Sequence, residues 1–297
     1  MEIPYTVTAR PDTGLYNAKV GIWLFLASEV MLFGGLFSGY IFLRMGSEPG
    51  HWPHGLLNVP VGTFNTFVLI GSSVTVVLAW ASLKMRQFAR YRFYMAVTIA
   101  CAALFLILKL TYEYPQKFHH FGAYIKQSAL PKYEEYLGNN YLAGKGLPPR
   151  VEITGHLEAP NGMTIDQVIH DPNIKEYEVA VDPIYEKPTD PSSDRPHFLP
   201  THPTEKIAKI EKEDVQFASS FAPRHNSYFA VYFTITGLHG LHVFGGMVVF
   251  CYYMLPVSTA LYRQNPEHLA NRVEVAGLFW HFVDLVWIFV FPLFYLL

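Results

Sequence analysis

Five ionisable side chains sit where such groups are expensive. Glu29, His239, His242, His281 and Asp284 each fall inside a long apolar run. A charged side chain at the centre of a bilayer costs about 2.5–3.5 kcal/mol or more, so each one needs a physical reason. His239 and His242 are three residues apart, as are His281 and Asp284, so each pair can share one helix face. Three kinds of chemistry suit such a band: hydrogen bonding between helices, contact with a lipid headgroup, or a border to a proton route. Two roles suit Glu29. It stands alone as an uncharged acid, or it pairs with His239 or His242. A metal centre is the sharper rival, because His239, His242, His281 and a carboxylate approach the ligand count of a catalytic site. Against it, the chain lacks the repeated histidine boxes of membrane di-iron enzymes. The other ten histidines fall in loops or at the ends of apolar runs, where a solvated side chain is the expected reading.

For these groups to meet, the apolar runs must be neighbouring helices. The 297-residue chain is 51% hydrophobic and 15% charged, against about 25% charged in soluble proteins. A bilayer core of about 30 Å takes roughly 20 apolar residues in a helix. Five stretches qualify: about Val20–Leu43, Pro60–Leu83, Phe93–Tyr112, Ser227–Met254 and Ala276–Leu297. None alternates with period two, which argues against a barrel. The expectation is an all-α integral membrane protein with five transmembrane helices. The first run is too long for a signal-peptide core and lacks a small-residue cleavage site after it, so it reads as a permanent span. Lys84, Arg86, Arg90 and Arg92 crowd one short loop, and Arg10, Lys19, Arg263 and Arg272 fall on the same side. The positive-inside rule then places the N-terminus inside and the C-terminus outside. At 1.5 Å per residue, Glu29 lies roughly 14 Å from the inner surface, His239 and His242 roughly 6–11 Å, and His281 and Asp284 roughly 8–12 Å.

Residues 1–112 thus carry three spans and 226–297 two. Between them, residues 113–225 hold 13 of the 21 prolines, 17 acidic and 12 basic residues. This insertion is expected outside the membrane. The stretch Val179–Pro203 reads as an extended Pro-rich strap, and Thr204–Val215 as a short helix. Asn65 is expected to hydrogen-bond across helices. Lys109 can snorkel at the outer end of the third span and pair with Glu113 four residues on. Cys101 and Cys251 lie inside apolar runs and form no disulfide framework. A formal net charge of −2 offers no basic surface for nucleic acid.

Five segments carry a resemblance to subunit III of the heme–copper cytochrome c oxidases. LFLASEVMLFGGLFSGYIFLR resembles that family's glutamate-bearing helix, and LNVPVGTFNTFVLIGSSVTVVLAW the helix after it, with Asn65 and Thr66 as its Asn-Thr pair. KLTYEY (Lys109–Tyr114) resembles its Lys-x-x-x-Glu-Tyr, YFTITGLHGLHVFGG its Thr-Gly-x-His-Gly-x-His, and WHFVDLVWIFVFPLFY its C-terminal helix. The matches run in the family's order and resemble its five-span bacterial forms. Seven-span members have two further helices, and a cleft between those and the rest holds phospholipids.

The resemblance implies a subunit without a redox centre, in a complex that reduces oxygen to water with electrons from cytochrome c and pumps protons. Haem and copper would belong to subunits I and II. The implied roles here are stabilising subunit I, retaining phospholipids and supporting proton uptake. Glu29 matches the family's carbodiimide-reactive carboxyl. The implied location is the bacterial plasma membrane, with 113–225 and the C-terminus on the periplasmic side. The resemblance gives the insertion no function, and docking of cytochrome c or another respiratory protein is the expectation for it. The equivalent subunit of a quinol oxidase, or a nitric-oxide-reductase-associated relative, fits equally well, since electron-donor sites lie on other subunits. A self-contained metalloenzyme and an ion carrier are the readings from other classes.

Overall fold

The computed structural model describes residues 17–47, 52, 57–118, 120–137, 152–160, 163–181, 206–221 and 226–296. Its elements, in chain order, are α1 (Asn17–Gly46), α2 (Val59–Lys84), α3 (Phe88–Ile107), a π turn (Leu108–Glu113), α4 (Tyr114–Phe118), β1 (His120–Ile125), α5 (Glu134–Leu137), β2 (Glu152–Leu157), α6 (Ile165–His170), β3 (Glu176–Val181), β4 (Lys206–Glu211), β5 (Val215–Ser220), α7 (Ser227–Met254), α8 (Pro256–Gln264) and α9 (Pro266–Phe291). Five helices are long and apolar enough to cross a membrane: α1, α2, α3 through Glu113, α7, and α9 through Leu296. They correspond to the five expected spans.

The largest boundary difference is in the last span, which begins at Pro266 rather than near Ala276. Asn265 accepts a hydrogen bond from the His268 amide and Pro266 occupies the first helical position, so a good cap starts the helix in polar sequence. Hydropathy alone does not register that extension. The preceding helix α8 was also absent from the sequence reading. It starts on Pro256 and buries Ser258 and Leu261.

Chain contacts divide the protein into two compact units. The first comprises Met1–Ser38, Val61–Lys109 and Ile235–Leu293. Its core is built from one stripe of each helix. On α2, Asn65, Leu69, Ser72, Val76, Ala79 and Leu83 are buried, a spacing of three and four. Against them lie Met95, Thr98, Ala102 and Phe105 of α3 and Val273, Gly277, Trp280, Val283 and Trp287 of α9. The opposite faces stay apolar and exposed, as in Phe67, Val74, Leu285 and Phe289. That inversion is what a hydrocarbon solvent demands. Polar side chains tie the helices: Trp280 Nε1 donates to Ser72 Oγ at 2.9 Å, Trp287 Nε1 to Thr66 Oγ1 at 3.0 Å, and the Thr75 and Thr98 hydroxyls lie 2.8 Å apart.

The second unit comprises Gly39–Pro60, Leu110–Thr234 and Phe294–Leu297. At its centre is a five-stranded antiparallel sheet in the order β4-β3-β2-β1-β5. Only Lys212–Asp214 separates β4 from β5, although they are the two outer strands. Four strand spacings in a flat sheet would set them about 19 Å apart, whereas the four residues from Glu211 to Val215 reach about 14 Å at most. The sheet therefore curls toward a barrel. Two backbone bonds fasten the bend, Lys212 N to Lys175 O at 2.8 Å and Lys126 N to Asp214 O at 2.9 Å. One face of the sheet supplies a dry core of Phe121, Ala123, Ile125, Ile153, Tyr177, Val179, Ala208 and Ile210.

Two expectations for the insertion change. The described part of Thr204–Val215, from Lys206 on, is not an α-helix: Ala208 and Ile210 are buried while Lys209 and Glu211 between and beside them are exposed, a period-two pattern that makes β4 a strand. The start of the expected strap, Val179–Val181, is the end of β3, paired with β4 on one side and β2 on the other. Its remainder, residues 182–203, lies outside the described residues. At Gly155 a Cβ would collide with the Ala180 carbonyl of β3, so glycine is what lets these strands approach.

Candidate functional site

Within the first unit, the long helices bring most of the expected polar residues inward in three separate contacts. Glu29 on α1 meets His242 on α7, Oε2 to Nε2, at 3.0 Å, and both side chains are largely buried. The other ring nitrogen, Nδ1, lies 2.8 Å from the Leu238 carbonyl oxygen. A carbonyl can only accept, so Nδ1 carries a hydrogen. The proton between Glu29 and His242 then rests on the carboxyl oxygen or on Nε2, and the pair is neutral overall in either case. That is how two ionisable groups share a low-dielectric site without a net charge. Phe33 packs edge-on to the His242 ring, with centroids 5.4 Å apart, and helps keep water from it.

His239, one helical turn earlier, does not join that pair. It is fully buried, and its Nε2 donates to the Val283 carbonyl of α9 at 3.0 Å. Phe105 and Trp287 flank its ring at 5.6 and 5.1 Å. His281 of α9 contacts Ser73 Oγ of α2 through Nδ1 at 2.5 Å. Asp284 is buried on the same helix, and its carboxylate oxygens have no hydrogen-bond partner among the described residues. Asn65 is fully buried with both amide atoms in the same condition. Lys109 is buried with its Nζ 4.6 Å from the centre of the Trp287 ring, a cation–π contact.

Three imidazoles therefore have three different partners: a carbonyl, a carboxyl and a hydroxyl. Among the described residues, no three His, Cys, Asp or Glu side chains gather as a metal-ligand group.

In the second unit, Glu113 is buried and accepts hydrogen bonds from Tyr232 at 2.5 Å and from Tyr295. Sequence reasoning named Glu113 but neither phenol. It named Thr66 without its partner Trp287, and it missed Ser72 and Ser73, which receive Trp280 and His281. The available signal was small hydroxyl residues on the buried side of α2, close to the stripe already marked by Asn65.

The sequence pattern of cytochrome c oxidase subunit III matches residues 10–122 and 208–297, which include all five long helices and their polar contacts. The chain belongs to the cytochrome c oxidase subunit III family. Among its curated relatives, cytochrome c oxidase subunit 3 of Bacillus subtilis is 22% identical, over 98% of this chain and 93% of that protein. The corresponding subunit of Bacillus sp. PS3 is 23% identical, over 95% of this chain and 86% of the relative. A cytochrome bo(3) ubiquinol oxidase subunit 3 of Buchnera aphidicola is 37% identical over a shorter region, 25% of this chain and 38% of its own length. The family pattern leaves residues 123–207 unmatched, and these contain β2, β3 and the first residues of β4.

Proposed function

We propose that this chain is the non-catalytic subunit III of a proton-pumping terminal oxidase, which reduces oxygen to water with electrons from cytochrome c. In this reading the haem and copper centres belong to subunits I and II. The chain braces subunit I, retains phospholipids and supports proton uptake, and Glu29 with His242 forms a proton-sharing pair on the uptake side. The observation that carries the reading is the family pattern running through all five long helices. The separate engagement of His239, His242 and His281 favours a scaffold role over a self-contained metalloenzyme, because a ligand set would need these nitrogens to converge. The clustering of Lys84, Arg86, Arg90 and Arg92 favours an N-terminus on the inner side of the bacterial plasma membrane, with the insertion and the C-terminus on the periplasmic side. There the folded insertion is a docking surface for cytochrome c or another respiratory partner.

Purification in mild detergent through a tag on this chain tests the assignment. The expected result is co-purification of a haem-bearing subunit I and a subunit II in equal amounts. Recovery of the chain alone, with a stoichiometric transition metal, would overturn it. A second reading replaces cytochrome c with a quinol, and the similarity to ubiquinol oxidase subunit 3 supports it. A dinuclear-copper electron paramagnetic resonance signal from the purified complex selects cytochrome c, and its absence selects quinol.

A further inference from the structure

The sheet of the insertion ends in two outer strands, β4 and β5, and only β4 is guarded. β4 carries Lys206, Lys209 and Glu211, and the Glu211 N–H donates to the Tyr133 hydroxyl at 3.1 Å. Charges and covering side chains are how sheets keep other chains from pairing with an edge. β5 (Val-Gln-Phe-Ala-Ser-Ser) has neither a charge nor a proline. We propose that the open edge of β5 takes up an extended, uncharged segment of a partner protein as a sixth strand, with an acidic residue of that segment meeting Lys212. The proposal rests on the docking role given to the insertion above and deepens it, naming the edge and the kind of partner.

Strand register identifies the open groups. The Phe221 N–H donates to the His120 carbonyl and the Lys126 N–H to the Asp214 carbonyl. Bonded and non-bonded pairs alternate in an antiparallel ladder, so Gly122 bonds with Ser219 and Tyr124 with Phe217. Ala218 and Ser220, which lie between, turn their N–H and C=O groups away from β1. Among the described residues, neither N–H has a backbone partner, nor has the Ala218 carbonyl. The Ser220 carbonyl accepts from Ser219 Oγ at 3.1 Å. The register breaks between Phe217 and Val215, which ends the regular edge there. A groove of about 400 Å³ follows all six residues of β5 and is also lined by Ile169, His170, Tyr177 and Lys212. Six residues of strand span about 20 Å. Ala218 and Ser220 share the inner face with their partners Ala123 and Phe121, and their small side chains leave room for aliphatic ones beside Ile169 and Tyr177. On the outer face Phe217 is 56% exposed, and an apolar neighbour on the added strand would cover it. Charge fixes one end of the segment. Lys132 and Lys209 pair with carboxylates, whereas the Lys212 ammonium donates only to the Asp171 carbonyl, at 2.9 Å, and lies 5.8 Å from the Tyr177 ring. Asp166, the acid in the lining, has an interaction of its own. A carboxylate beyond the Val215 end would therefore complement Lys212. Main-chain groups two residues apart along a line are what an added strand satisfies, and a folded globular surface does not.

The test is residue-resolved hydrogen exchange on the tag-purified complex, with cross-linking from position 217. The variants are Lys212→Glu, Ala218→Pro, and Ile207→Lys on β4 as a control for added charge. In Lys212→Glu the amides of Ala218 and Ser220 are expected to exchange about tenfold faster than in the wild type. Those of Phe217 and Ser219, bonded to β1, should not change. Ala218→Pro, which an edge strand tolerates, should free the Ser220 amide in the same way. Ile207→Lys should match the wild type. Phe217→benzoylphenylalanine should cross-link to one contiguous segment of one co-purifying protein, and about tenfold less when combined with Lys212→Glu. Unchanged exchange in β2 and β3 shows that each variant is folded, and Lys212→Glu carries the test alone if Ala218→Pro does not fold. Fast exchange of Ala218 and Ser220 in the wild type would show an empty edge and overturn the proposal. Slow exchange that persists in the variants would show an edge covered by this chain itself and overturn it equally. Cross-links to β5 of a second copy, or scattered over several proteins, would also do so. A partner that is lost on excising the insertion, with exchange at Ala218 and Ser220 unaffected by the variants, would leave the docking role standing and remove the edge.

Discussion

A hydrogen on His242 Nδ1, fixed by the Leu238 carbonyl, decides what Glu29 can do. With that nitrogen committed as a donor, one proton remains for the Glu29–His242 contact, and moving it from oxygen to nitrogen leaves the net charge at zero. Glu29→Gln keeps a neutral hydrogen-bonding side chain of the same length, whereas Glu29→Ala strands Nε2 in the apolar core. The alanine variant is expected to lose about 1–3 kcal/mol of stability, the glutamine variant markedly less. A double-mutant cycle with His242→Ala should return a coupling of roughly 0.5–3 kcal/mol, as for residues in direct contact. Thermal unfolding of the assembled complex measures both, and additive losses would show the pair to be incidental. Haem absorbance should be the same in all assembled variants, because neither residue is placed among ligands.

At the scale of elements, the insertion's bend is held by a cluster that reports on pH. Asp214 accepts from Lys132 Nζ at 2.9 Å and from the Tyr133 hydroxyl at 2.8 Å, and Lys132 also reaches Glu211 at 2.9 Å. The hydrogen bond from Lys132, followed by that from Tyr133, lowers the Asp214 pKa below the ordinary aspartate value. A carboxyl depressed in the folded state stabilises the fold above its unfolded pKa. That contribution fades as pH falls through the lower, folded value. The curled sheet is therefore expected to loosen below about pH 4, and Asp214→Asn should flatten that dependence while weakening the bend at neutral pH. Hydrogen exchange of β4 and β5 between pH 3 and 7 reads the effect, and an unchanged profile in the variant would count against it. Gly155→Ala tests the sheet at another point. Its methyl group meets the Ala180 carbonyl, so a loss of about 1–3 kcal/mol is expected, seen as faster exchange in β2 and β3 with the long helices unaffected.

These elements also explain what could be read in advance. The five spans were legible because a hydrocarbon solvent requires about twenty apolar residues in succession, and no tertiary detail alters that demand. Glu29, His239, His242, His281 and Asp284 were legible as costly placements, but their partners were not. His242 rather than His239 meets Glu29 because of helix rotation, which sequence spacing of three leaves open. The curled sheet was hidden for a different reason. Its strands are six residues each, spread across more than a hundred residues and separated by proline-rich and polar sequence, so no local window contains a pair. The alternation in Lys206–Glu211 was the one local sign, overshadowed by the lysines and glutamates that also suit a helix.

For the molecule as a whole, the family pattern and the fold divide along different lines. The pattern covers every long helix and omits 123–207, while β1 and β5, the strands that flank this gap, pair with one another at Phe121–Ser220 through Ile125–Val215. Removing only residues 130–215 would leave β1, buried along its whole length, without β2 and without the start of β5, exposing apolar surface. Excising residues 120–221 and joining the ends by a short Gly-Ser linker removes the sheet intact. The five long helices are joined by α2, α3, α7 and α9 contacts, and by Glu29 of α1 with His242 of α7, that involve none of the excised residues. The shortened chain is therefore expected to insert in the membrane and to co-purify with the haem-bearing subunit. A partner bound through the insertion should be lost, or the KM for cytochrome c should rise while kcat with an artificial reductant is kept. Mass-spectrometric composition of the tagged complex and steady-state kinetics with both donors check this. Unchanged composition together with unchanged KM would remove docking from the insertion and leave it a role confined to the stability of this chain.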